Sequence, residues 1–180
     1  QKDAEIAKLN AESKYINIYL SHLGITNFII DKIKDKSEDN LIITYTNNGK
    51  HKTKLSHSLS EGEKTALAFA YFISKLRVEK IEGSKNGFEN CIVAIDDPIS
   101  SLDDNRLFQT ANLIDSFLFY TRPAKENGVE DFSHHPCQLF ILSHNLTFLK
   151  YLHNALKSNK DATGKVNEYF LSPHAPIMKN

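Results

Sequence analysis

A hydrophobic run ending in two carboxylates, Cys91-Ile92-Val93-Ala94-Ile95-Asp96-Asp97, places acids at the exit of a short strand. In open α/β sheets, ligands bind at such strand ends. A carboxylate at Asp96 can hold magnesium directly or through water. Asp97, one residue further on, sits where it can orient or deprotonate an attacking water. A plainer reading also fits the pair, because Pro98 follows and Asp-Asp-Pro is ordinary chemistry for a polar turn.

Upstream lies Leu59-Ser60-Glu61-Gly62-Glu63-Lys64. A serine followed three residues later by glutamate is a capping box, so Ser60 and Glu63 predict a helix start. That start exposes free backbone N–H groups and a partial positive charge, which suit a phosphate. Gly62 removes the Cβ that would hinder an approaching oxygen. Without a ligand, Ser60 is simply an N-cap. Lys64 reads as a solvated helix residue and is given no catalytic role.

Downstream, Ser100-Ser101-Leu102-Asp103 reads as a serine turn in which Asp103 caps a helix beginning near Asn105. A second apolar run ends at Ser143-His144-Asn145. A lone histidine at a strand exit is usually structural. If the two apolar runs are neighbouring strands, however, His144 and Asp97 share a crevice, and His144 can touch a phosphate or the attacking water. His134, His135 and Cys137 are rejected as a zinc site, since no matching second pair exists and Pro136 and an apolar strand follow immediately. There is no hydrolase elbow of the G-x-S-x-G type. Basic–aromatic interleaving of the kind that binds single-stranded nucleic acid is also missing.

These residues need a scaffold of alternating strands and helices. Residues 3–22 predict a helix through Ile6, Leu9, Ser13, Ile16 and Leu20, ended by Gly24. It suits either a domain helix or the last turns of a coiled-coil arm. Residues 28–30 and 41–45 predict strands separated by the charged stretch 31–40, and Asn47-Asn48-Gly49 predicts a turn into a returning strand over 50–55. The helix started by Ser60 is expected to reach about Arg77, with Leu67, Ala70, Tyr71 and Ser74 near one face and Phe69, Phe72, Ile73 and Leu76 broadening it. Residues 81–90 read as a polar connection. Residues 92–95 and 138–142 are continuous apolar runs, expected as strands covered on both faces. Helices are predicted over 106–120 and 146–156, with a loop over 121–136 and an edge strand over 166–171. This rhythm implies an α/β fold with a parallel sheet and crossover helices.

The 180-residue chain suffices for one domain with a real core. Lys+Arg and Asp+Glu stand at 22 each, so charge alone does not single out nucleic acid or an anionic membrane as a partner. Cys91 and Cys137, each at the edge of an apolar run, read as buried free thiols in a reducing compartment. With no run of transmembrane length and no secretion signal, the cytoplasm is the expected location. A start at Gln1 suggests an excerpt of a longer protein.

Taken together, the ordered motifs resemble the C-terminal lobe of ABC-type ATPase heads, the group that includes transporter nucleotide-binding domains and SMC-type proteins. Leu59–Lys64 resembles their signature motif, the run 92–96 their Walker B strand, Ser101-Leu102-Asp103 their D-loop and His144 their switch histidine. "LSEGEKTALAFAYF", "IDDPISSLD" and "ILSHN" look like the coiled-coil branch containing the RloC and PrrC anticodon nucleases and related bacterial defence ATPases. The resemblance covers residues 4–156 and implies residues 1–22 as the end of an arm helix and 23–180 as the lobe. It also implies ATP and Mg2+ as cofactors: Asp96 on the metal, Asp97 in the place of the usual catalytic glutamate, and His144 beside it. Ser60, Gly62 and Glu63 would serve ATP held by an opposing head, and Asp103 would bridge the dimer. The phosphate loop G-x-x-x-x-G-K-[ST] is absent from the 180 residues, so the segment alone is expected to be inactive. The partners implied are a homodimer or head dimer, an N-terminal Walker A lobe of the same protein, an effector nuclease or toxin, and DNA or RNA, but no membrane. The implied task is ATP hydrolysis gating an effector, with phage defence favoured. A weakly hydrolysing sensor, or an ATPase of DNA repair or chromosome organisation, is the alternative.

Overall fold

A computed structural model describes residues 2–35, 38–47, 50–52, 59–82, 91–98, 103–118, 120–122, 132–134, 138–158 and 166–169. The chain opens with helix α1, Lys2–His22. Its end is fixed by the backbone: Ile25 N–H donates to Leu20 C=O (2.9 Å) and Gly24 N–H to Ser21 C=O (3.1 Å). This is a Schellman stop, and it needs the left-handed backbone that Gly24 adopts at φ 74°. Leu20 and Ile25, on either side of the stop, are both buried and seal it.

Strands β1 (Phe28–Asp35) and β2 (Glu38–Asn47) pair antiparallel, and β3 (Lys50–Lys52) returns along β2. The charged stretch expected to separate two strands is therefore largely strand itself. Once Phe28↔Tyr45 and Ile30↔Ile43 set the register, the backbone ladder continues to Asp35↔Glu38 whatever the side chains are. β1 is an edge of this sheet, and α1 staples that edge: the Asn17 carboxamide donates to Ile30 C=O (2.8 Å) and accepts from Ile30 N–H (2.7 Å).

Helix α2 spans Glu61–Leu76 and runs on into a π-helical segment, Arg77–Glu82, so the first part of the expected connection is helical. Its buried face is Ala66, Phe69, Ala70 and Ile73, at helical spacing. The expected face is rotated, since Tyr71 is 41% exposed. α1 lies along α2 and its extension. Buried Ser74 donates to Glu12 C=O (3.3 Å), the Arg77 guanidinium stacks 4.4 Å from the Tyr15 ring centre, and Lys8 pairs with Glu79 at 3.0 Å.

β4 (Ile92–Asp96), helix α3 (Asp104–Leu118), β7 (Gln138–Leu142) and helix α4 (Leu146–Ser158) follow, with β4 and β7 paired parallel. Within the stretch expected to be loop, β5 (Tyr120–Arg122) and β6 (Phe132–His134) form a short antiparallel ribbon. α3 and α4 pack together, and Tyr19 of α1 meets Phe117 of α3 edge-on at 5.6 Å. Phe28, Ile73, Ile114 and Phe148 are among the most deeply buried side chains of one continuous core.

Two further expectations are corrected. β4 and β7 are covered on one face only: Val93 and Ile95 point inward, whereas Ile92 is 66% exposed and Phe140 and Leu142 about half exposed. A short apolar run has no periodicity to reveal which face is left bare. Residues 166–169 are not strand, and Glu168 instead meets His153 of α4. Cys91 is a free, half-buried thiol; Cys137, His135 and the segments 53–55, 83–90 and 99–102 lie outside the described residues.

Because a Cβ at Gly24 would meet nothing within 4 Å, Gly24→Ala tests backbone conformation alone. It should cost about 1–2 kcal/mol, read as a lower urea midpoint with an unchanged slope. An unchanged midpoint would show that the stop does not depend on the glycine.

Candidate functional site

Parallel pairing aligns Asp96 with Leu142, so the two strands end side by side. The ladder reaches one step further, with Asp97 N–H donating to Leu142 C=O at 2.9 Å. Asp97 has φ 44°, in the left-handed region, although a proline follows it. Its side chain completes the anchorage. Ser143 Oγ donates to Asp97 Oδ1 at 3.2 Å, and His144 Nδ1 lies 3.1 Å from Asp97 Oδ2. Ser143 Oγ in turn accepts from Asn145 N–H at 3.1 Å, and Asn145 Oδ1 caps α4 by accepting from Phe148 N–H at 3.0 Å. The structure thus brings Asp97 and His144 together, as the motif order suggested. Ser143 and Asn145, given no role from sequence, hold them there.

Asp97 is partly buried, whereas the His144 side chain is 82% exposed. With its proton on Nδ1, His144 donates to Asp97 and presents Nε2 to solvent as an acceptor. Asp96 and Asp97 line a cleft of about 330 Å³ whose far wall is Thr65, Ala68, Phe69 and Phe72 of α2. Asp96 is exposed, and among the described residues its carboxylate takes part in no ion pair. A hard oxygen donor at a strand end fits magnesium, which uses one or two carboxylates together with phosphate and water. The described residues contain no cluster of three or more His, Cys, Asp or Glu that would form an all-protein cage.

The second group of predicted residues sits at the start of α2 and does not line that cleft. Ser60 and Glu63 form the reciprocal capping box: Ser60 N–H donates to Glu63 Oε2 at 2.8 Å, and Glu63 N–H donates to Ser60 Oγ at 3.3 Å. Ser60 Oγ–H also donates to Glu63 Oε2 at 2.9 Å, and Asn27 Nδ2 donates to Glu63 Oε1 at 2.7 Å. Both Glu63 oxygens are therefore engaged within the fold. Gly62 is buried, so an incoming group meets exposed Ser60 and Glu61 first. Asp103 caps α3 by accepting from Arg106 N–H at 2.9 Å, and it lies 3.7 Å from the Arg106 guanidinium.

A mixed α/β unit, with acids at the end of a parallel strand and a capped helix walling the cleft they line, has the build of a P-loop NTPase-type head. The chain belongs to the AAA_13 family (AAA domain), whose model matches residues 1–178. A solved structure described as "Structural biochemistry of ATP-driven dimerization and DNA stimulated activation of SMC ATPases" is similar in fold. Its TM-score is 0.52 at 18% identity, over 84% of this chain and 78% of that one. No curated protein matches the chain. The fold is thus that of an ABC/SMC-like ATPase head.

The Asn27 hydrogen bond, followed by those from Ser60, holds the Glu63 carboxyl below its usual range. A carboxyl depressed by folding stabilises the fold above its unfolded value, near pH ~4.3, and that stabilisation is lost as pH falls through the folded value. Glu63→Gln should therefore lower the unfolding midpoint at neutral pH, and the gap from wild type should close on acidification. A gap constant from pH 7 to pH 3 would contradict a charged clamp.

Proposed function

We propose that the protein binds and hydrolyses ATP–Mg2+ between two such heads and uses the closure to drive or gate an attached effector. The observation that carries this reading is the union of Asp97 with His144 at the paired ends of β4 and β7, with Asp96 adjoining. Asp96 holds the magnesium, which supplies charge neutralisation to the phosphates when bound. Asp97, fixed by Ser143 and His144, orients the attacking water and accepts its proton, and exposed His144 Nε2 is available to the same water or to a phosphate oxygen. Exposed Ser60 and the first-turn N–H groups of α2, including that of Gly62, face ATP held by the opposing head, and Asp103 lies at the dimer interface.

In this reading residues 1–22 are the end of a coiled-coil arm, and residues 23–180 are a lobe completed by the Walker A lobe of the same protein. The bare apolar face at Ile92, Phe140 and Leu142 supports that completion, because parallel strands are normally covered on both sides. The effector is a nuclease or toxin acting on RNA or DNA in phage defence; the motif resemblance to the RloC and PrrC branch supports this choice. One observation favours a slower, sensor-like cycle: both Asp97 oxygens already have partners, which a water must share or displace. Single-turnover hydrolysis separates the two, since closure without phosphate release marks the sensor.

In the full-length protein, Asp97→Asn should lower ATP turnover about a hundredfold or more, measured as phosphate release at saturating ATP. Unchanged turnover would remove Asp97 from the mechanism. Ser60→Arg should abolish ATP-dependent dimerisation, followed by sedimentation, while the monomer stays folded. Dimers that form normally with ATP would overturn the sandwich.

A further inference from the structure

Asn27 is separated from Glu63 by 36 positions, yet its Nδ2 lies 2.7 Å from Glu63 Oε1. It sits in the turn between α1 and β1, between Ile25 and Phe28, which are only 2% and 1% exposed. The Gly24 stop precedes it and the Asn17–Ile30 staple follows, so this donor is held on a rigid segment. On the other side, Glu63 Oε2 takes both the N–H and the hydroxyl of Ser60. The carboxylate is gripped from two directions, one of them outside its own helix.

We propose that Asn27 is a positioning residue for the Ser60 site: it pins the Glu63 carboxylate onto Ser60, away from the first-turn N–H groups of α2. This rests on the reading that those groups receive a phosphate. A glutamate in the first turn of a helix is the natural competitor of an incoming anion, because its own charge is attracted to the same positive end. Pinned at both oxygens, Glu63 cannot swing onto those groups. When an anion accepts the hydrogen bond of the Ser60 hydroxyl, Oε2 keeps the Ser60 N–H and Oε1 keeps Asn27, so the cap survives ligand exchange. Releasing Oε1 frees the carboxylate to rotate. The depressed Glu63 carboxyl, with Asn27 as its largest cause, agrees with this geometry.

The test uses the full-length protein and ATP-dependent dimerisation as readout. Asn27 is exposed, so Asn27→Leu leaves the core untouched. It should raise the ATP concentration for half-maximal dimerisation about tenfold, as expected for losing a charge-assisted hydrogen bond, and shift the acid limb of that dependence to higher pH. Asn27→Gln, which retains a donor, should recover part of both effects. In a Glu63→Gln background, Asn27→Leu should have little effect, since the two act as one unit. Equal losses in both backgrounds with an unmoved acid limb would overturn the proposal and leave Asn27 a structural residue. If Ser60→Arg leaves dimerisation intact, the phosphate-binding reading itself fails. If Ser60→Arg abolishes it but Asn27→Leu behaves as wild type, only the role of Asn27 is overturned.

Discussion

The parallel pairing of β4 with β7 is the constraint on which the site depends. Asp97 and His144 are far apart in sequence, and nothing local brings them together. The ladder from Ile92↔Gln138 to Asp96↔Leu142 does so, and Asp97 N–H on Leu142 C=O carries it past the end of the strand. A left-handed backbone at Asp97 costs free energy, so it persists only where its surroundings over-determine it. Three contacts do so here: the backbone bond, the Ser143 hydroxyl and the His144 ring. A shift of one residue in the register would separate the carboxylate from both side chains and expose the inward face of β4.

The start of α2 solves a different problem. A helix N-terminus must satisfy its own N–H groups to be stable, yet must leave some unpaired to bind an anion. Here the box uses one reciprocal pair, Ser60 and Glu63, and draws the glutamate's second oxygen toward Asn27. On the proposed reading, stability and ligand readiness are thereby separated onto different groups of the same turn. The same arrangement ties α1 to the site, because Asn27 follows the Gly24 stop and precedes a strand stapled to α1 by Asn17.

What was legible in the sequence is what local chemistry determines. The capping box at Ser60, the glycine stop at Gly24 and the Asp103 cap each rest on interactions within a few residues, and each stands where spacing put it. The pairing of two apolar runs into one parallel sheet followed from their alternation with helices. The illegible parts are non-local or depend on a choice of face. An asparagine ahead of a strand carries no mark of a partner 36 positions away. A serine beside a histidine shows its worth only when the neighbouring strand delivers an aspartate to it. The full environment of Glu63 was equally hidden, because the box is local but Asn27, which takes the other carboxylate oxygen, lies 36 positions away.

If the proposed function holds, the two groups of residues differ in how they can respond to a nucleotide. Asp97 is tied by an interstrand backbone bond and by groups at the end of β7, so repositioning it means disturbing the sheet. Ser60 is exposed, and its hydroxyl has only to rotate from Glu63 toward an incoming oxygen, a motion that breaks one hydrogen bond and can form another. Under the proposed function, closure at the α2 end would be a cheap, reversible exchange of partners, whereas chemistry at the Asp97 end would draw on a rigid frame. On the proposed reading, such a unit would sense nucleotide readily and hydrolyse it only when the water is correctly held. Its output would then be set more by how long the closed state lasts than by how tightly it forms.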